Sequence, residues 1–317
     1  MRKALVVGVN YYEKLSSVKG CVPNAFAVNN VLSQHGDGAK NFDVKVCFAN
    51  DQRTKISRSQ LKKDVQELFS DDSDVALFYF SGHGYIENTG GYIVTSECAE
   101  GDEGFSLNEL LTIVNDSKAR DKIVVLDTCH SGQIGNIDVK KDTTFINMGV
   151  TILTSSTKDQ LSVDEGDGST FTKLFVDALD GSAANLLGEI SPGSVYAHID
   201  QSLSAWDQRP IFKTNVKNFT SLRKVQPAIS VDDLKKIVTL FPDKNKEFNL
   251  DPSYEPTSPA PVKERTEIFA ILQKYNRVNL VVPLDSEHMY FAAMESKKCK
   301  LTVLGEFYWR LVKDHRI

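Results

Sequence analysis

No stretch of this chain approaches the ~20 consecutive apolar residues that span a bilayer, so no membrane-spanning helix is expected. Met1-Arg2-Lys3 leads straight into an apolar run that is too short for a secretory leader and has no small-residue cleavage site after it. A cytoplasmic protein is therefore expected. Cysteine is sparse: five residues, an odd number, irregularly spaced and without a CxxC pair. That pattern excludes a disulfide framework and offers no zinc-ligand spacing. Cys47 and Cys98 read as packing residues. There is no internal repeat, and no dense basic patch of the kind nucleic-acid binding needs. Neither a nucleic acid nor a membrane is expected as a partner.

What is present is the make-up of a globular protein. Hydrophobic residues form 41% of the chain and charged residues 25%, enough to bury a sizeable core. The net charge of −5 is uneven: residues 1–214 carry −9 and residues 215–317 carry +4, which suggests two units. In the first, strand and helix signals alternate. Lys3–Val9, Asp43–Phe48, Val75–Phe80, Lys122–Leu126 and Val150–Thr154 read as strands, and Pro210–Thr214 as an edge strand. Val22–Gln34, Ser57–Phe69, Leu107–Val114, Phe171–Leu179 and Ser194–Ala205 have helical spacing. Continuous rather than alternating apolar strands indicate a sheet covered on both faces. The fold class is α/β, with a mostly parallel six-stranded sheet.

Two of these strands end in chemistry. Val75–Phe80 runs into Ser81-Gly82-His83-Gly84, and Ile123–Leu126 runs into Asp127-Thr128-Cys129-His130-Ser131-Gly132. Parallel strands deliver both motifs to one sheet edge, which brings an imidazole to a thiol. A thiol with a pKa of ~8.5 needs a base to become a nucleophile. His83 takes the proton and later protonates a leaving amine. His130 adjoins the cysteine, but neighbours on a turn usually point apart, so His83 is the expected base. The glycines let a substrate backbone approach, and the amides of Gly84 and Cys129 are the expected oxyanion hole. Gln133–Asn147, polar and just past the cysteine, reads as an exposed loop open to nicking.

These motifs resemble the two active-site motifs of caspase-like cysteine peptidases, most nearly those of metacaspases and bacterial caspase homologues. The cysteine context differs from the signature of animal caspases. Gly8-Val9-Asn10-Tyr11-Tyr12, Gly20-Cys21-Val22-Pro23-Asn24-Ala25, Leu153-Thr154-Ser155-Ser156 with Gln160, and Phe171-Thr172 extend the resemblance over roughly residues 1–214. It implies a caspase-like three-layer sandwich, endopeptidase activity on polypeptides and no organic cofactor. It also implies an acidic pocket for the substrate residue before the scissile bond, which on this chain falls on Cys21, Asn24, Ser81 and Asp127. The family usually has Asp where Asn24 stands, so one of two carboxylates is missing. Cleavage after Arg or Lys is still expected through Asp127, with cleavage after Asp as the alternative. Asp164 and Glu165, in an acidic loop, read as solvated loop charges, or else as further charge for the subsites. Many metacaspases need calcium. Glu97, Glu100, Asp102 and Glu103 are the acidic cluster after the histidine strand, but the loop is short and lacks a recognisable calcium-ligand spacing. No metal residue is therefore assigned. A pocket for basic residues makes Lys140 and Lys141 the expected sites of self-cleavage. Bacterial relatives with appended domains imply a defence or cell-death context. A catalytically silent scaffold is the competing class; it predicts a degraded dyad, whereas both His83 and Cys129 are present.

The sequence divides into a peptidase domain over 1–220, a connecting arm over 221–261 and a small, mainly helical unit over 262–317. The arm is inferred from Pro252, Pro256, Pro259 and Pro261, with Pro242 before them. The last unit has helices at Glu264–Tyr275, His288–Met294 and Leu301–Val312 and a short strand at Val278–Pro283, an order that resembles a winged helix. Its aromatic segments, Met289-Tyr290-Phe291 and Phe307-Tyr308-Trp309, read as core residues that dock the unit on the peptidase, or else as part of a surface for a regulatory protein or ligand.

Overall fold

A computed structural model of the chain describes residues 1–87, 90–99, 104–128, 136–138, 141–155, 168–204 and 209–317, with side chains omitted at 86–87, 136–138 and 141–144. Two compact units divide it. The first takes Met1–Ala184 and Glu189–Gln226; the second takes Asn185–Gly188 and Pro227–Ile317.

The first unit opens with β1 (Arg2–Val9), α1 (Cys21–Ser33), β2 (Asp43–Ala49), α2 (Arg58–Leu68) and β3 (Val75–Ser81). Short strands β4 (Gly84–Glu87), β5 (Gly90–Ile93) and β6 (Phe105–Ser106) follow, then α3 (Leu107–Asp116) and β7 (Asp121–Asp127). Next come β8 (Asn136–Asp138), β9 (Lys141–Thr144), β10 (Val150–Thr154) and α4 (Thr170–Asp177). The unit closes with β11 (Glu189–Ile190), α5 (Pro192–Ser202), β12 (Ile211–Asn215) and β13 (Arg223–Lys224).

The central sheet has the order β12-β10-β7-β3-β1-β2, parallel throughout except for the antiparallel edge strand β12. Every residue of β3 is buried, as its unbroken apolar run requires of a strand covered on both faces. Successive side chains of a strand point to opposite faces, and the core divides accordingly. Leu5, Val7, Phe78, Phe80, Val124 and Leu126 pack with Leu61 and Val65 of α2 and Leu110 of α3. Ala4, Val6, Leu77, Tyr79, Ile123 and Val125 pack with Val28 of α1, Phe175 of α4 and Val195 of α5. This is the expected three-layer α/β sandwich. The helices begin at side-chain caps. Ser57, Ser106 and Ser169 each accept a bond from a backbone N–H of the first turn, and Ser191 and Ser194 form a capping box with Pro192 at the start of α5.

One expectation needs correction. Gln133–Asn147 is not wholly irregular, because β8 and β9 pair antiparallel within it. Backbone pairing can form where polar residues give no apolar alternation to read. The segment after β3, not assigned from sequence, carries the antiparallel sheet β4-β5-β6.

The second unit holds α6 (Val231–Lys235), α7 (Ile237–Leu240), β14 (Phe248–Asn249), α8 (Lys263–Arg277), β15 (Val281–Leu284), α9 (Met289–Met294), β16 (Lys298–Leu301) and α10 (Val303–Lys313). Its strands form an antiparallel sheet in the order β14-β16-β15. Ile229, Leu234, Ile237, Phe241 and Leu250 belong to its core with Phe269, Leu272 and Tyr275. Much of the expected connecting arm is thus built into this unit. Pro242 follows the end of α7, and Pro252 opens a short helical turn over Pro252–Tyr254. Of the aromatic segments, Met289, Tyr308 and Trp309 face the unit's own core, and Trp309 Nε1 donates to Phe241 O at 2.6 Å. Tyr290, Phe291 and Phe307 are exposed, contrary to the core reading.

Candidate active site

The carboxyl ends of β1, β3 and β7 supply the site. Ser81 and Asp127 are register partners on neighbouring strands. His83 stands two residues past Ser81. Its backbone is held on both sides: His83 N donates to the Tyr12 hydroxyl at 2.7 Å, and His83 O accepts from Val94 N at 3.0 Å. His83 O and Val94 N thus share one ladder bond, and Gly84 and Ile93, the next partners, fall at a non-hydrogen-bonded position. The Gly84 N–H is thereby left out of the β4–β5 ladder.

The imidazole is oriented as firmly. His83 Nε2 lies 2.8 Å from Ser16 O, and a carbonyl can only accept, so Nε2 carries the proton. Nδ1 is then the nitrogen with a lone pair in the neutral ring. The Tyr12 ring lies against the imidazole, with centroids 4.6 Å apart and planes at 42°. Both contacts come from the loop between β1 and α1, which Asn10 closes. Asn10 Oδ1 accepts from Val22 N at 3.1 Å, and its Nδ2 donates to Lys19 O at 3.1 Å and to Asn50 Oδ1 at 3.2 Å. Gly82 is required by crowding, since a Cβ there would lie 2.8 Å from Tyr12 Oη and 2.8 Å from Phe80 Cζ.

Beside this loop is a buried polar cluster. Asn24 Nδ2 donates to Ser81 Oγ and to Asp127 Oδ2, each at 3.1 Å, and Ser81 Oγ is 3.4 Å from the same Asp127 oxygen. Three of the four residues expected in the substrate pocket are thus brought together by α1, β3 and β7. Two that sequence reasoning missed join them. Thr172 Oγ1 donates to Asp127 Oδ2 at 2.7 Å, and Ser169 Oγ donates to the same atom. Ser169 N donates to Asn24 Oδ1 at 3.3 Å, and Thr172 Oγ1 is 2.5 Å from the Tyr79 hydroxyl. Gly168, at φ +95°, lies so near Asn24 Oδ1 that a Cβ would collide with it. Asp127 is 5% exposed, and no Lys or Arg pairs with it among the described residues. Burial pushes its carboxyl above the ordinary range, against the hydroxyl bonds from Ser169, Thr172 and Ser81 that favour the anion. The cluster thus holds one acidic group among neutral partners. Cys21 begins α1 one turn before Asn24 and is part-buried.

Several expected residues lie outside the described ones: Cys129 itself, Lys140, Asp164 and Glu165, and Glu100, Asp102 and Glu103 of the acidic cluster. Lys141 starts β9, paired with Asp138. Glu97 is described, and its Oε1 accepts from Arg58 N at 2.9 Å. Among the described residues no group of three or more His, Cys, Asp or Glu is placed to hold a metal ion. No described helix is long and apolar enough to cross a membrane.

Comparison with known proteins agrees with this architecture. The family model of the caspase domain matches residues 1–236. The chain belongs to the caspase-domain family. Metacaspase-1 of Mycosarcoma maydis is 24% identical over 204 residues, covering 54% of this chain and 48% of that protein. The chain thus spans about half the length of that relative or less. Among solved structures, caspase-1 from Spodoptera frugiperda matches with a TM-score of 0.52 at 15% identity, over 71% of this chain and 91% of that one. A protein of Geobacter sulfurreducens matches with a TM-score of 0.54, also at 15% identity, over 71% of this chain and all of that one. At such identity these structures speak to the fold alone, and the caspase-like sandwich is what they share.

Proposed function

We propose that this caspase-domain protein is a cysteine endopeptidase with His83 and Cys129 as its dyad. The observation that carries the proposal is the way His83 is held. Its Nε2–H is committed to Ser16 O, so Nδ1 keeps the lone pair and is the nitrogen that can serve as the base just past β3. Cys129 stands two residues past Asp127, as His83 stands two past Ser81, and Ser81 and Asp127 are register partners on adjacent strands. Adjacent strands lie about 4.8 Å apart, a spacing that suits an imidazole–thiol pair.

In this scheme Nδ1 takes the thiol proton, and Cys129 Sγ attacks the scissile carbonyl carbon. The Gly84 and Cys129 amides receive the charge that develops on the carbonyl oxygen. The C–N bond then breaks as the imidazolium gives its proton to the leaving amine, and water hydrolyses the thioester with the imidazole as base.

Cleavage after Arg or Lys follows from the same reading. Asp127 is the one acidic group of the cluster, and Asn24 is a neutral amide that donates to it where a second carboxylate would repel it. An anion without a cationic partner attracts a basic side chain and repels an acidic one. Processing after Lys140 or Lys141 in the segment past Cys129 is the corresponding self-cleavage. The exposed Tyr290, Phe291 and Phe307 support a partner-binding role for the second unit. A defence or cell-death context is what the family resemblance implies.

A panel of fluorogenic peptides differing in the residue before the scissile bond tests the reading. Wild type should turn over Arg and Lys peptides, and Cys129→Ala and His83→Ala should not. Turnover of Asp peptides alone would refute the specificity; equal turnover by wild type and Cys129→Ala would refute the mechanism. Intact masses identical in wild type and Cys129→Ala would reject self-cleavage.

A further inference from the structure

From the loop between β1 and α1 we infer that Tyr12 is a positioning residue for the His83 base, a role that rests on the peptidase reading above. Tyr12 is 3% exposed and meets the histidine twice. Its hydroxyl accepts the His83 backbone N–H at 2.7 Å, and its ring packs on the imidazole with centroids 4.6 Å apart. The first contact replaces a strand partner, because β3 ends at Ser81 and His83 N lies beyond its ladder. The second covers one face of the ring, while Ser16 O holds Nε2. Four fixings therefore act on one residue: the amide on Tyr12, the carbonyl on Val94 N, the ring face on Tyr12 and Nε2 on Ser16 O. An aliphatic residue at position 12 would fill the space yet leave a part-buried N–H without its acceptor. Gly82 belongs to the same arrangement, since only a residue without a Cβ lets Tyr12 Oη approach so closely.

Held this way, the imidazole keeps one tautomer and one direction, with Nδ1 as the basic nitrogen. Proton transfer is sensitive to such placement, because a general base must sit within hydrogen-bond reach of the proton it takes. Tyr12 is buried, so its contribution falls on the chemical step and not on binding.

Tyr12→Phe keeps the ring and removes the acceptor; Tyr12→Leu removes both. On the Arg peptide that wild type cleaves best, Tyr12→Phe should lower kcat about tenfold at unchanged KM, and Tyr12→Leu should lower it further. The acidic limb of the kcat profile should also move in Tyr12→Phe. A direct readout needs no turnover: long-range proton–nitrogen NMR of the histidine rings in full-length Cys129→Ala, with and without Tyr12→Phe. A single Nε2–H tautomer for His83, giving way to a mixture once the hydroxyl is lost, is the expected result. An unchanged kcat together with unchanged His83 ring signals in Tyr12→Phe overturns the inference. If Tyr12→Phe does not fold, an Nδ1–H tautomer of His83 in the Tyr12 protein overturns it. Inactivity of wild type on every peptide would instead remove the peptidase reading, while the ring signals would still report whether Tyr12 orders His83.

Discussion

Replacing Asn24 by the Asp more usual at this position gives a sharp test of the buried cluster. The amide nitrogen of Asn24 is 3.1 Å from Asp127 Oδ2, so Asn24→Asp sets two carboxylate oxygens at that separation. If both were ionised, their repulsion would be about 5 kcal/mol at an effective dielectric of 20. Holding one proton on the pair at pH 7 requires about 4 kcal/mol, from an ordinary carboxylate pKa of ~3.9. Proton uptake is the smaller term, and a protonated carboxyl at position 24 reproduces the donor that Asn24 supplies.

The folded variant should therefore bind one more proton than its unfolded chain from about pH 4 upward, so stability falls as pH rises, by about 1.4 kcal/mol per unit. Relative to wild type the loss is about 4 kcal/mol at pH 7 but only about 1.5 kcal/mol at pH 5. For a unit of this size that lowers Tm by about 8–16 °C at pH 7 and about 3–6 °C at pH 5. Calorimetry of the full chain at both pH values reads this directly, with the second unit's transition as an internal reference. A variant as stable as wild type at pH 7, or equally destabilised at both pH values, would refute the buried-pair reasoning.

Further outcomes follow from other contacts. Gly82→Ala should destabilise the first unit by about 1–3 kcal/mol, since Phe80 and Tyr12 must both give way, and should lower turnover with it; thermal denaturation and peptide kinetics on one preparation check this. Phe269→Ala, at a fully buried position, should remove about 3–5 kcal/mol from the second unit. Urea unfolding followed at Trp309 fluorescence should register the loss, and an unshifted transition would contradict the core assignment. Asp233 is held at a pKa of about 2 by hydrogen bonds from Lys236 and Lys274. A depressed carboxyl stabilises above its ordinary pKa and loses that contribution as pH falls toward 2. Asp233→Asn should thus weaken the second unit by about 1 kcal/mol at pH 7 and by nearly nothing near pH 2; an equal deficit at both would show that packing, not charge, is at work.

Much of the main unit was legible in order. The six strands of the central sheet and its helices lie near their expected positions because unbroken apolar runs and capping serines are local signals. The sheet β4-β5-β6 escaped because strands of two to four residues carry no usable alternation. The proline-rich segment before α8 misleads for the opposite reason. Proline density suggests an extended arm, but Phe241 and Leu250 on either side of Pro242 anchor it in a core. In the aromatic segments, adjacent residues of a helix face different ways, so Tyr308 and Trp309 are buried while Phe307 is exposed.

The chemistry on offer is readable in one dimension: a thiol and an imidazole at the ends of two strands, with glycines around them. The family resemblance of the motifs also singles out Asn24, Ser81 and Asp127. How those groups act on one another emerges in the folded chain. Ser169 and Thr172 reach Asp127 across more than forty residues of chain. The carbonyl that fixes the His83 tautomer belongs to Ser16, and a backbone acceptor carries no side-chain signature. Tyr12 lay within a recognised motif, yet its bond to His83 spans 71 residues. Local pattern encodes which strand a residue ends. Hydrogen bonds between separate loops depend on sheet register and close packing, which exist once the chain has folded.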